Sequence, residues 1–208
     1  MPRALVQTGM ELEYDTFGSP DDPALLLIMG FTAQMTAWDE KFCQILADGG
    51  RYVIRFDNRD CGLSTKLDGQ VPDVAGAMAA AFADQPAPPL PYTLSDMAAD
   101  AIGLLDVLGV ERAHIMGASM GGMIAQVVAI EHPERVRSLI SVMSQPGEVE
   151  VGQPSAEAAE AIFAPPPTSR EEYIEAAPRW LVWASKKYRD VEKTKELAGR
   201  EFDRSFYP

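Results

Sequence analysis

Apolar and polar positions change their period several times along the chain, and each change marks an element. Ala4–Gln7 and Glu11–Phe17 alternate around Thr8-Gly9, the pattern of an N-terminal hairpin. Ala24–Met29 is a continuous apolar run that stops at Gly30, as expected for a strand buried on both faces of a parallel sheet. Trp38–Ala47 has helical spacing closed by Gly49-Gly50, and Tyr52–Phe56 is a second buried strand. From Gln70 to Pro91 the pattern dissolves into Ala and Pro, which predicts a long surface excursion with one short helix at most. Thr93 and Asp96 have capping-box spacing before a helix over Leu94–Leu108, closed by Gly109. A strand Ala113–Gly117, a helix Met120–Glu131 stopped before Pro133, and a strand Val136–Met143 follow.

This alternation predicts an α/β protein with a doubly wound, mostly parallel sheet built from right-handed crossovers. After Met143 the strands cease. Gly147, Gly152, Pro154 and Pro165–Pro167 punctuate three helical segments, Ala156–Ala164, Arg170–Trp183 and Val191–Phe206. The expected division is therefore a sheet core over 1–146, holding six strands, and a helical segment over 147–208.

Composition narrows the class. The chain has 208 residues, 47% of them hydrophobic, with 31 acidic against 18 basic side chains and a formal net charge of -13. That is enough chain for one full core, and the excess acid opposes a nucleic-acid partner or adsorption to an anionic membrane. Residues 179–208 depart from the trend, with 8 basic and 5 acidic side chains, which reads first as a solvated helical face. The first ten residues hold no signal-peptide core, and the apolar run Ala24–Met29 is far short of a bilayer span, so a cytoplasmic location is expected. Cys43 and Cys61 form no C-x-x-C pair and read as reduced thiols. No metal site is expected from two His and two scattered Cys, and no cofactor, because neither a G-x-G-x-x-G turn nor a P-loop is present.

The chemistry concentrates at Gly117-Ala-Ser119-Met-Gly121, between a buried strand and a helix. A G-x-S-x-G turn in that context is so sharp that Gly is needed at its flanks, and the strained Ser projects its hydroxyl above the sheet. Ser119 is the candidate nucleophile, with Gly117 and Gly121 as the elbow glycines. An acyl-transfer intermediate also needs amide donors for its oxyanion. Met120 qualifies because it opens a helix, where N–H groups are free. Phe31, just beyond Met29-Gly30, supplies the second candidate; an ordinary strand-end turn is its other reading.

Taken together, Leu26–Phe31, Val53–Ser64, His114–Met123 and Glu131–Val136 make the chain similar to the α/β-hydrolases, and within them to the aclacinomycin methylesterase group. The resemblance is close from about residue 4 to 145 and implies that Ser119 is the nucleophile and Phe31 and Met120 the oxyanion donors. It gives Asp57 and Arg59 a structural role, as an ion pair or a loop anchor. It also implies a triad in the order Ser, acid, His, and here the chain departs: it stops at Pro208, before the strands that would carry the acid and the histidine. His132 closes the helix that Ser119 opens, roughly 20 Å from the hydroxyl. His114 precedes the elbow by five residues, roughly 16 Å. Neither can serve as base, so both read as structural, and Glu148 and Glu150 are weak candidates for the acid.

These residues predict a serine hydrolase of carboxylic-ester type working through an acyl-Ser119 intermediate, impaired because the chain reads as lacking its C-terminal third. The alternative is a catalytically silent relative that binds small apolar ligands or assembles as an oligomer. C–C hydrolysis and perhydrolysis stay open, whereas haloalkane dehalogenases and epoxide hydrolases, by resemblance, need Asp where Ser119 stands. Phe31, Met35, Trp38, Met120, Met123 and Met143 suggest an apolar ester substrate, with core packing the other reading for each. Ser138–Met143, left without a neighbour, is an apolar edge strand, from which a homo-oligomer is expected.

Overall fold

A computed structural model of the chain describes residues 2–73, 76, 77, 80, 83, 85, 86, 88–148, 151, 152 and 154–207. Its centre is a six-stranded sheet of β1 (Arg3–Leu5), β2 (Glu11–Phe17), β3 (Ala24–Ile28), β4 (Tyr52–Phe56), β5 (Ala113–Ala118) and β6 (Val136–Val142), in the order β1-β2-β4-β3-β5-β6. β1 pairs antiparallel with β2 and β2 antiparallel with β4, and β4-β3-β5-β6 are parallel. The hairpin, the buried strands and the doubly wound class therefore stand as the pattern predicts.

Successive side chains of a strand point to opposite faces, and the apolar runs serve both. Leu26, Ile28, Ile54 and Ile115 face a core formed with α2 (Leu94–Val107) and α3 (Met120–Glu131). Leu25, Leu27 and Val53 face the opposite way, onto Trp38, Cys43 and Ala47 of α1 (Glu40–Asp48) and its approach. Thr93 and Asp96 close the capping box at the head of α2. Beyond the sheet lie α4 (Ala156–Phe163), α5 (Arg170–Ala176) with a 3-10 continuation over Ala177–Val182, and α6 (Val191–Arg204).

Several boundaries differ from the sequence expectation for local reasons. The helix placed at Trp38–Ala47 starts at Glu40, because Asp39 accepts the Lys41 amide and caps it; Met35–Ala37 is a separate 3-10 turn. Arg170–Trp183 is not one helix: Pro178 has no N–H to give an α-helical bond, and the α-helix yields to 3-10 geometry at Ala177. The short helix allowed within Gln70–Pro91 falls largely outside the described residues. The last strand is an edge, as expected, and from Arg137 to Ser141 every residue of β6 is exposed. Among the described residues no helix is long and apolar enough to cross a membrane.

Candidate active site

β5 ends at Ala118, α3 begins at Met120, and Ser119 alone makes the turn, with φ 55° and ψ -124°. A non-Gly residue in that conformation is strained by about 1–3 kcal/mol and survives only where its surroundings enforce it. The glycines provide the enforcement. A side-chain carbon on Gly117 would overlap the Gly121 carbonyl and sit 2.6 Å from the Gly122 nitrogen; one on Gly121 would lie 2.7 Å from the Met29 oxygen. The head of α3 is thus pressed onto both β5 and the end of β3. The Ser119 backbone is fully engaged, its N–H donating to Val142 O at 2.9 Å and its carbonyl accepting from Gly122 at 2.8 Å. Its side chain is left at the exposed surface of the turn.

The loop after β3 crosses this elbow. A carbon added at Gly30 would be 3.0 Å from Ser119 Cβ and 3.5 Å from the Met120 nitrogen, so the Gly30–Phe31 backbone and the head of α3 are neighbours. Neither the Phe31 nor the Met120 N–H has an acceptor among the described residues. Two free amides beside one exposed, strained hydroxyl can stabilise an anion that forms on a carbonyl attacked there.

The Gly30–Met35 loop is itself held at several points by the segment after β4. Asn58 donates its side-chain amide to Met29 O at 2.9 Å, and the buried Asp57 carboxylate accepts the Met35 N–H at 2.8 Å. Between them the Cys61 thiol reaches Ala33 O at 3.2 Å. Burial, and then the Asp57 charge, push that thiol up to about 12, while burial pushes Cys43 up to about 11. Both are free and stay protonated, which makes them poor nucleophiles.

Asp57 and Arg59 are anchors, but not to each other. Asp57 pairs with Arg204 at 2.8 Å, and Arg59 pairs with Asp100 of α2 at 2.6 Å, with Tyr92 against its guanidinium. Sequence reasoning missed Asn58, Gln34 and Arg204. Asn58 lies within the Val53–Ser64 segment, but nothing local points to Arg204, whose partner Gln34 lies 170 positions away.

The two histidines lie away from the elbow. His114 is the second residue of β5, where its Nδ1 meets Ser138 Oγ at 2.7 Å, and burial with the Arg51 and Arg137 charges pushes its pKa down. His132 caps the far end of α3, about 20 Å along the helix from Ser119. Of the acid candidates, Glu148 is exposed and Glu150 lies outside the described residues. Ser144 and Gln145, in the turn after β6, each bury a side-chain oxygen with no partner among the described residues. Of the apolar candidates, Met35 and Trp38 are interior, whereas Phe31 and Met143 are exposed and Met120 and Met123 half-buried.

A strand–Gly-x-Ser-x-Gly–helix elbow on a mostly parallel sheet defines one class of protein, and the chain belongs to it: residues 23–198 match the alpha/beta hydrolase fold family. Among particular relatives, it is 34% identical over 137 residues to rhodomycin D methylesterase DauP of Streptomyces sp. (strain C5), a match covering 66% of this chain and 40% of that protein. It is 31% identical over 134 residues to a putative carbamate hydrolase, RutD, of Variovorax paradoxus (strain S110), covering 64% and 42%. The chain thus spans well under half the length of these relatives. Among solved structures, the meta-cleavage product hydrolase CumD of Pseudomonas fluorescens IP01 superposes with a TM-score of 0.71 at 20% identity, over 100% of this chain and 64% of that one. At that identity the likeness speaks for the fold.

Proposed function

We propose that this chain carries the nucleophile and oxyanion half of a serine hydrolase acting on carboxylic esters. Ser119 Oγ attacks the ester carbonyl, the Phe31 and Met120 amides receive the oxyanion, and the alcohol leaves to give acyl-Ser119, which water then hydrolyses. The observation that carries this reading is the Ser119 backbone at φ 55°, held by glycine contacts and beside two unaccepted amides. The printed names of the relatives, a methylesterase and a putative carbamate hydrolase, support acyl transfer from an ester-like bond. Phe31 and Met143, exposed near the elbow, favour a small apolar acyl or alcohol group.

Neither histidine of this chain is near enough to take the Ser119 proton, so these residues by themselves supply no base. A hydrolase of this type without its base keeps a rate about 10³–10⁴-fold over water from oxyanion stabilisation and binding. A second reading is a silent relative that binds apolar molecules at the elbow, where Phe31 and Met143 are exposed. With p-nitrophenyl butyrate, the first reading expects a p-nitrophenol burst of one equivalent, absent in Ser119→Ala. Equal rates for the two proteins contradict it. In this account residues 1–146 form the core and 147–208 a helical segment of the cap, the protein acts in the cytoplasm, and copies self-associate through the exposed β6 edge.

A further inference from the structure

Helix α6 ends on the loop that carries Phe31. Arg204, in its last turn, donates to Gln34 Oε1 at 2.6 Å and pairs with Asp57 at 2.8 Å. Gln34 in turn donates its amide to two carbonyls at the end of α6, Glu201 O at 2.8 Å and Ser205 O at 2.9 Å. Ser205 Oγ donates to Gly62 O on the neighbouring loop. The Glu201 carbonyl also accepts the Ser205 N–H, so Gln34 adds a second donor there and supplies one to the Ser205 carbonyl beyond the helix, a C-terminal cap supplied from the core. Gln34 is 4% exposed and Asp57 fully buried, which takes these bonds out of competition with water.

The same Asp57 carboxylate accepts the Met35 N–H, and Asn58 and Cys61 hold Met29 and Ala33. The Gly30–Met35 loop is therefore fixed on one side by the segment after β4 and on the other by α6. Glu201, half-buried, lies at this contact, with its Oε1 buried and lacking any donor among the described residues. It faces Arg200 and Arg204 on its own helix, Asp57 and Cys61 from the loop after β4, and Tyr173 from α5. We propose that docking of α6 sets the position of the Phe31 amide, with Arg204 and Gln34 as positioning residues and Glu201 as the group that makes docking proton-dependent. The inference rests on the reading of Phe31 as an oxyanion donor.

The direction of the dependence follows from the surroundings of Glu201. Burial pushes its carboxyl up to about 7; Arg204 pulls it back, Asp57 pushes it further and Arg200 opposes. An acid whose pKa is higher when docked than its ordinary 4.5 binds more protons in the docked form between those values. Docking is therefore tightest at and below about pH 4.5, weakens as pH rises towards 7, and is flat above.

Hydrogen exchange on peptides spanning 30–35 and 191–205, corrected for intrinsic rates, reads docking directly, and fluorophosphonate labelling of Ser119 on the same samples reads chemistry. Between pH 5.5 and 8.0 the protection of both segments in the natural protein falls together, by roughly 10- to 30-fold. Glu201→Gln, neutral at every pH, retains the pH 5.5 protection at pH 8.0. Arg204→Leu deprotects both segments at both pH values while β5 and α3 stay protected; should it fail to fold, Gln34→Leu makes the same test. Loss of protection in α6 with the 30–35 loop unchanged overturns the coupling, and a pH response unaltered by Glu201→Gln overturns the assignment of the proton. Coupled exchange without Ser119 labelling leaves the coupling intact and counts against the hydrolase reading alone.

Discussion

Gly117 and Gly121 meet backbone to backbone across the elbow, so closely that a side-chain carbon on the first would overlap the carbonyl of the second. Because the obstacle is main chain, no rotamer change relieves it. Gly117→Ala should cost at least about 3 kcal/mol, the upper end for overpacking. Urea melts should show it as a lower midpoint at unchanged slope.

The strain at Ser119 makes a second prediction. Gly adopts φ 55° without the Cβ penalty and Ala does not, so Ser119→Gly should exceed Ser119→Ala in stability by about 1 kcal/mol or more. In an ordinary position the order is reversed, by about 0.4–1 kcal/mol, through the entropy of the unfolded chain. Thermal unfolding of the two variants decides it; a more stable Ala variant contradicts the strained turn.

Arg59 and Asp100, 6% and 1% exposed, join the loop after β4 to α2, and Thr8 donates to the same carboxylate from the hairpin turn. Removing one charge leaves the other buried and unpaired, so Arg59→Met should cost about 3–5 kcal/mol. The double variant Arg59→Met with Asp100→Leu should recover much of that loss. Additive losses in denaturant unfolding would mean the pair does not act as a unit.

Among the described residues no strand pairs with the outer edge of β6, which carries Leu139 and Ile140, 39% and 42% exposed. Sedimentation velocity should show concentration-dependent association of this 208-residue chain, abolished by Ile140→Lys, since a charge on an edge strand opposes further pairing. A monomer at every concentration would count against self-association by this route.

How much of this was legible in the sequence depends on the range of each interaction. The elbow was legible because its determinants, Gly117 to Gly121 between an apolar run and a helix, are contiguous. So was the capping box at Thr93, a three-residue signal. The start of α1 was misplaced because Trp38 fits the helical period while Asp39 supplies the cap that excludes it. Pro178 divided what periodicity alone would join. The partners of Asp57 and Arg59 were out of reach: both carry opposite charges and stand two positions apart, yet each finds its counter-ion on a distant helix, at Arg204 and Asp100. The clamp on the Phe31 loop depends on the same long-range contacts, and only folding brings its parts together.

The nucleophilic role of Ser119 is the claim on which the functional account depends. Prolonged treatment with a fluorophosphonate, followed by intact mass and peptide mapping, tests it most directly. The account predicts a single adduct, slow to form, on the peptide containing Ser119 and absent in Ser119→Ala. No adduct at saturating reagent, or one carried by another residue, would contradict it.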